Sequence, residues 1–140
     1  MGEHPPPVLG IDHVVLRVAS LERSIAFYRD VLGCPIERTL EALGLVQLRA
    51  GSCLIDLVPI DGELGRAAGG PPDPTARNVD HFALRVDASP RELAVHLARC
   101  GIACGDFASR YGGEGFARSV YLEDPDGNVV ELRTPPGSDA

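Results

Sequence analysis

Two short stretches of the chain alternate apolar and polar residues with a period of two, and they are nearly the same stretch. Residues 11–18 read IDHVVLRV and residues 79–86 read VDHFALRV. Five of the eight positions match: Asp, His, Leu, Arg and Val. As strands, both point alternate side chains to opposite faces. Val14, Leu16 and Val18 form an apolar face, while His13, Val15 and Arg17 look the other way. His81, Ala83 and Arg85 repeat that second face 68 residues on, and at the same offset Gly33 falls on Gly101.

A helical period follows each strand. Ser20 is an N-cap, with Glu22 in the positive first turn. Leu21, Ile25, Tyr28 and Leu32 then recur at helical spacing until Gly33. In the second half Ser89 caps, Pro90 takes the first helical position and Glu92 completes a capping box. Leu93, Leu97 and Cys100 form the apolar stripe, and Gly101 ends it. Strand-like runs come next, at 35–41, 45–50 and 53–58, then at 104–109, 117–123 and 128–133. CLIDL at 53–57 aligns with NVVEL at 128–132, which sets Asp56 on Glu131 at an offset of 75. The second half thus carries about seven extra residues, expected in the Gly-rich stretch 105–118.

The pattern predicts an α+β fold of two β-α-β-β-β modules, 8–59 and 79–134, within one domain 8–134. Residues 60–78 are rich in Gly and Pro without periodicity and read as a linker. Residues 1–7 and 135–140 read as flexible tails, and DPDG at 124–127 as a hairpin turn that serves geometry.

The repeat changes how its polar residues are weighed. A lone His on a strand is usually a core or surface residue, and a lone acid is usually solvated. Here a His and an acid recur at equivalent places in both halves, away from the helix-packing side. His13, Asp56, His81 and Glu131 are therefore the expected ligands of one divalent metal. Two neutral imidazoles and two carboxylates suit Ni, Zn, Mn, Fe or Co. Four protein ligands leave an open position only at higher coordination, which favours an octahedral ion over closed tetrahedral zinc. His96 aligns with Tyr28 on a helix, and His4 lies in the Pro-rich tail, so neither is a candidate.

Composition narrows the partners. The 140 residues suffice for one domain whose core oligomerisation often completes. Formal net charge is −7 with no basic run, which argues against nucleic acid. No apolar run approaches the roughly 20 residues that span a bilayer. The N-terminus has neither a secretory pattern nor, with Pro6 at the sixth position, a good myristoylation site. A cytoplasmic protein is expected. Cys34, Cys53, Cys100 and Cys104 form no C-x-x-C and read as small buried hydrophobes.

IDHVVLRV-x-SLERSIAFYRDVLG followed by V-x-LEDPDGNVVEL resembles the vicinal-oxygen-chelate superfamily, in its glyoxalase and bleomycin-resistance branch, over about 8–134. The resemblance implies that the paired modules close into an open, cup-shaped mixed sheet with a metal in the cup, held by His13, Asp56, His81 and Glu131. Asp56 departs from the Glu usual in glyoxalase I and is one methylene shorter. The resemblance further implies a homodimer in which two chains swap modules. It implies a lyase or isomerase acting on a small oxygenated, possibly glutathione-linked, substrate through a metal-stabilised enediolate. Glu131 would move the proton, with Asp56 opposite, and Arg17 and Arg77 would hold a substrate carboxylate. An extradiol dioxygenase is the main alternative, but its catalytic His has no counterpart in RYGGEGFAR at 110–118. A fosfomycin-type thiol transferase usually has His where Asn128 stands. A non-catalytic resistance protein would commonly lack the ligands.

Overall fold

In the computed structural model, which describes residues 5–76 and 79–138, the repeat becomes two four-stranded mixed sheets. The first is built from β1 (His13–Val18), β2 (Ile36–Leu40), β3 (Leu45–Ala50) and β4 (Cys53–Pro59), in the order β1-β4-β3-β2. The second is built from β5 (Phe82–Arg85), β6 (Ala108–Gly112), β7 (Gly115–Glu123) and β8 (Val129–Arg133), in the order β5-β8-β7-β6. In each sheet the first strand runs parallel to the last and the other pairs are antiparallel. A helix supplies the crossover that a parallel pair requires.

The helices start where their caps stand. Ser20 accepts a hydrogen bond from the Arg23 N–H and opens α1 (Leu21–Ile25). The continuation, Ala26–Val31, is π-helical rather than α-helical, with the Leu32 N–H reaching back to the Phe27 carbonyl. The wider turn keeps Phe27 and Tyr28 both buried. Ser89 and Glu92 form the full capping box of α3 (Pro90–Arg99).

Val18, Leu48, Ile55, Leu57, Leu97, Val120, Val130 and Leu132 are all buried in one cluster that draws on both modules. Truncating such a side chain to Ala costs about 2–5 kcal/mol. A polar clasp binds the halves further. The Tyr28 hydroxyl donates to Asp124 Oδ2 at 2.7 Å. Asp126 accepts from the Ala19 N–H and from the Ser24 hydroxyl. The DPDG turn is thus tied to the start of the other module's helix. Burial, then the charge and hydrogen bond of Asp124, push the Tyr28 phenol well above its ordinary range, so it remains a donor. His96 packs across the same seam, its Nε2 2.6 Å from the Val31 carbonyl oxygen.

Four local expectations are corrected. The stretch 60–78 contains a short helix, α2 (Glu63–Ala67), whose Gly65 lies too close to the Pro59 carbonyl for any Cβ. The Gly-rich run 105–118 is mostly the β6–β7 hairpin, because Gly112 and Gly115 pair across a tight turn; of 104–109 only Cys104 makes an isolated bridge before β6 begins. His81 lies immediately before β5 rather than within it. Cys34 is buried but Cys100 and Cys104 are exposed, so the buried reading fits the first and fails for those two.

Candidate metal centre

On the face of each sheet turned away from its helix stands one His and one acid. In the first sheet Val15 is opposite Asp56 in the parallel β1–β4 pair, so His13, two residues earlier, shares the face of Asp56. In the second, Ala83 is opposite Glu131, and His81 precedes it by two. Asp56 and Glu131 are each 5% exposed, whereas His13 is exposed and His81 half-buried.

Both imidazoles are oriented by the residue before them. His13 Nδ1 lies 2.7 Å from Asp12 Oδ1, and His81 Nδ1 lies 2.7 Å from Asp80 Oδ2. A carboxylate only accepts, so Nδ1 carries the hydrogen and a neutral ring keeps Nε2 as its bare lone-pair nitrogen. Carboxylate-backed imidazoles of this kind are the usual supporting arrangement of metal-binding histidines. The sequence contained the signal, since Asp is one of the five matched positions of the repeat, yet reading the ligands alone missed Asp12 and Asp80.

The acids are supported from the neighbouring strand at matched register. Gln47, opposite Asp56, donates its amide to Asp56 Oδ2 at 3.0 Å. Asp56 Oδ1 is buried and, among the described residues, has no hydrogen-bond partner. A buried orphan oxygen is costly unless something occupies it. Tyr121 holds the equivalent place opposite Glu131. Burial, then the hydrogen bond and charge of Glu131, raise the Tyr121 phenol, which keeps it protonated and donating. Glu131 Oε1 faces His81 Nε2 at 4.0 Å, too long for a hydrogen bond. Two such donors facing each other without bonding are what a cation would bridge. The donor types, the bare Nε2 atoms and the orphan Oδ1 all fit a divalent metal.

Within one chain, however, these donors remain two pairs. Among the described residues no three His, Cys, Asp or Glu side chains converge as a metal-holding group. The chain brings His81 to Glu131 and sets His13 on the face of Asp56, on two separate sheets. Arg17 donates Nη1 to the Ala68 and Gly70 carbonyls, which anchors the segment after α2. Arg77 lies outside the described residues. The second sheet also contains cations that were not singled out as functional. Arg133 Nη1 lies 3.3 Å from Glu131 Oε2, and the Arg110 guanidinium stacks 4.5 Å above the Tyr121 ring.

Paired β-α-β-β-β modules, each presenting a His–acid pair on an open sheet face, define a two-module α+β protein. The family model for the Glyoxalase/Bleomycin resistance protein/Dioxygenase superfamily matches residues 10–132, and the chain belongs to that superfamily. A catechol-2,3-dioxygenase of Bacillus subtilis is 30% identical over 125 residues; the alignment covers 87% of this chain and 40% of that protein, so the chain spans about two fifths of that relative's length. An integron cassette protein from the mobile metagenome of V. Cholerae superposes with a TM-score of 0.74 at 27% identity, covering 94% of this chain and 98% of the other. A lactoylglutathione lyase from Agrobacterium tumefaciens superposes with a TM-score of 0.67 at 26% identity, covering 95% of this chain and all of the other. Among the described residues no helix is long and apolar enough to cross a membrane.

Proposed function

We propose that the protein is a divalent-metal-dependent lyase or isomerase of glyoxalase type, acting on a small oxygenated substrate. The observation that carries this reading is the pair of carboxylate-backed histidines beside two buried acids, one of which keeps an orphan oxygen. His13, Asp56, His81 and Glu131 would hold the ion. When bound, it would supply a Lewis acid for two adjacent substrate oxygens. Glu131 would act as the general base, because a proton acceptor must lie within hydrogen-bond reach of the carbon acid. Tyr121, opposite Glu131 on the neighbouring strand, would keep the carboxylate aimed.

The split of the donors supports a homodimer. One chain's His13 and Asp56 would be completed by His81 and Glu131 of the partner subunit. Val8, Leu9, Ile11, Val15, Tyr111 and Phe116 are exposed large apolar side chains, an expensive surface unless a second copy covers it. Sedimentation of the native protein at micromolar concentration is expected to give a dimer, and Phe116→Asp a shift toward monomer with weaker metal binding. A native monomer that binds metal at full strength would reject the shared site.

The function itself is tested by turnover of the methylglyoxal–glutathione hemithioacetal after loading with Ni or Fe(II). Activity that disappears in Glu131→Gln is the expected result. A second reading, ring-cleaving oxygenation, draws on the Bacillus subtilis relative. Oxygen uptake with a catechol panel in place of hemithioacetal turnover would establish it instead.

A further inference from the structure

The second half-site contains an arginine where the first has a valine. Arg133 is two residues after Glu131, at the place that Val58 takes after Asp56. It is only 7% exposed, an unusual fate for a guanidinium. Its Nη2 donates to the carbonyls of Arg110 and Gly115, at 3.0 and 3.1 Å, on the β6–β7 hairpin. Its Nη1 donates to Glu131 Oε2 at 3.3 Å. The hairpin makes room for it at Gly112, where an added Cβ would stand 2.5 Å from the guanidinium carbon and 2.7 Å from Nη2. The two oxygens of Glu131 are therefore not equivalent. Oε2 meets Arg133, and Oε1 is left facing His81 Nε2.

We propose that Arg133 is the positioning counter-ion of Glu131. Resting on the metal reading above, it holds Oε2, leaves Oε1 as the single metal-facing oxygen, and competes with a divalent cation for the carboxylate. A buried carboxylate deprived of every cation is strongly destabilised. With Arg133 in place, Glu131 can leave an ion without becoming an unpaired buried charge. Asp56 is backed instead by the neutral Gln47 amide, and among the described residues no ion pair to it is formed. The site is thus asymmetric, with Asp56 the fixed ligand and Glu131 the releasable one.

The test is calorimetric titration of metal-free protein with Mn(II), alongside thermal melts with and without the ion. Arg133→Met is expected to tighten Mn(II) binding about tenfold or more, since a full charge beside the ligand oxygen is lost. Its metal-free form should melt lower than the native protein and gain more on adding the ion. Arg133→Lys should stay within about threefold of native affinity, because the charge remains. Gly112→Ala keeps the arginine but pushes its guanidinium off Oε2, so it should tighten binding too, and it serves if Arg133→Met does not fold. Adding Glu131→Gln to Arg133→Met should abolish the gain. Native binding that Glu131→Gln weakens but both Arg133→Met and Gly112→Ala leave unchanged would overturn this proposal alone. No Mn(II) binding by the native protein or any variant would overturn the metal reading beneath it.

Discussion

Asp56 and Glu131 occupy the same place in a duplicated module, yet they have different neighbours. Both lie on the strand parallel to the module's first strand, and both are buried to the same degree. Among the described residues Asp56 has a Gln47 amide on one oxygen and no hydrogen-bond partner on the other. Glu131 has Tyr121 opposite it on the neighbouring strand and accepts a hydrogen bond from the Arg133 guanidinium. Each module has kept the donor, while the residues around it have diverged. The difference teaches that equivalent acids need not have equal roles. A carboxylate with only neutral support depends on a bound cation, whereas one with a built-in cation can exchange partners.

The largest effect that could break this comparison is catalytic. Glu131→Gln should lower hemithioacetal turnover at saturating metal by about 10²–10⁴-fold, the usual loss for a positioned proton-transfer group. Asp56→Asn should act chiefly on metal affinity and lower saturated turnover far less. If both variants lose turnover equally once metal is saturating, the asymmetry of roles is wrong. Next in size are the two carboxylates behind the histidines. Asp12→Asn and Asp80→Asn should each weaken metal binding about 10–100-fold, because each loses the group that fixes its imidazole. Here the halves should behave alike, and a loss confined to one would show that the other histidine is not a ligand. Smallest is the clasp between the modules. Tyr28→Phe should reduce unfolding free energy in urea by about 1.5–3 kcal/mol, as expected for a hydrogen bond to a charged group. Because that bond joins the modules outside the metal face, metal affinity per folded protein should hardly change.

Much of this arrangement was legible in advance. The 68-residue repeat, the caps at Ser20 and Ser89 and the His–acid pairs are carried by residues close together in sequence. Even the shared face of Glu131 and Arg133 follows from a period of two. What Arg133 does there was not legible, because its cradle depends on Gly112, Gly115 and Arg110 arriving from a hairpin in another part of the chain. The resemblance implies a substrate-binding Arg17; that the chain after α2 also brings the Ala68 and Gly70 carbonyls onto its guanidinium was not legible from its own strand. The DPDG turn was recognised as geometry, yet only the packed structure shows that it joins the second module to the start of the first module's helix.

The sequence by itself determined the two modules, their helix starts and the two matched His–acid pairs, because periodicity, capping and repeat spacing act over a few neighbouring positions. The tertiary structure decided which donors meet, which oxygen is left without a partner and which arginine is buried against a carboxylate. Those outcomes depend on contacts between strands far apart in the chain, where a hydrogen bond or a charge a few ångströms away outweighs any local preference.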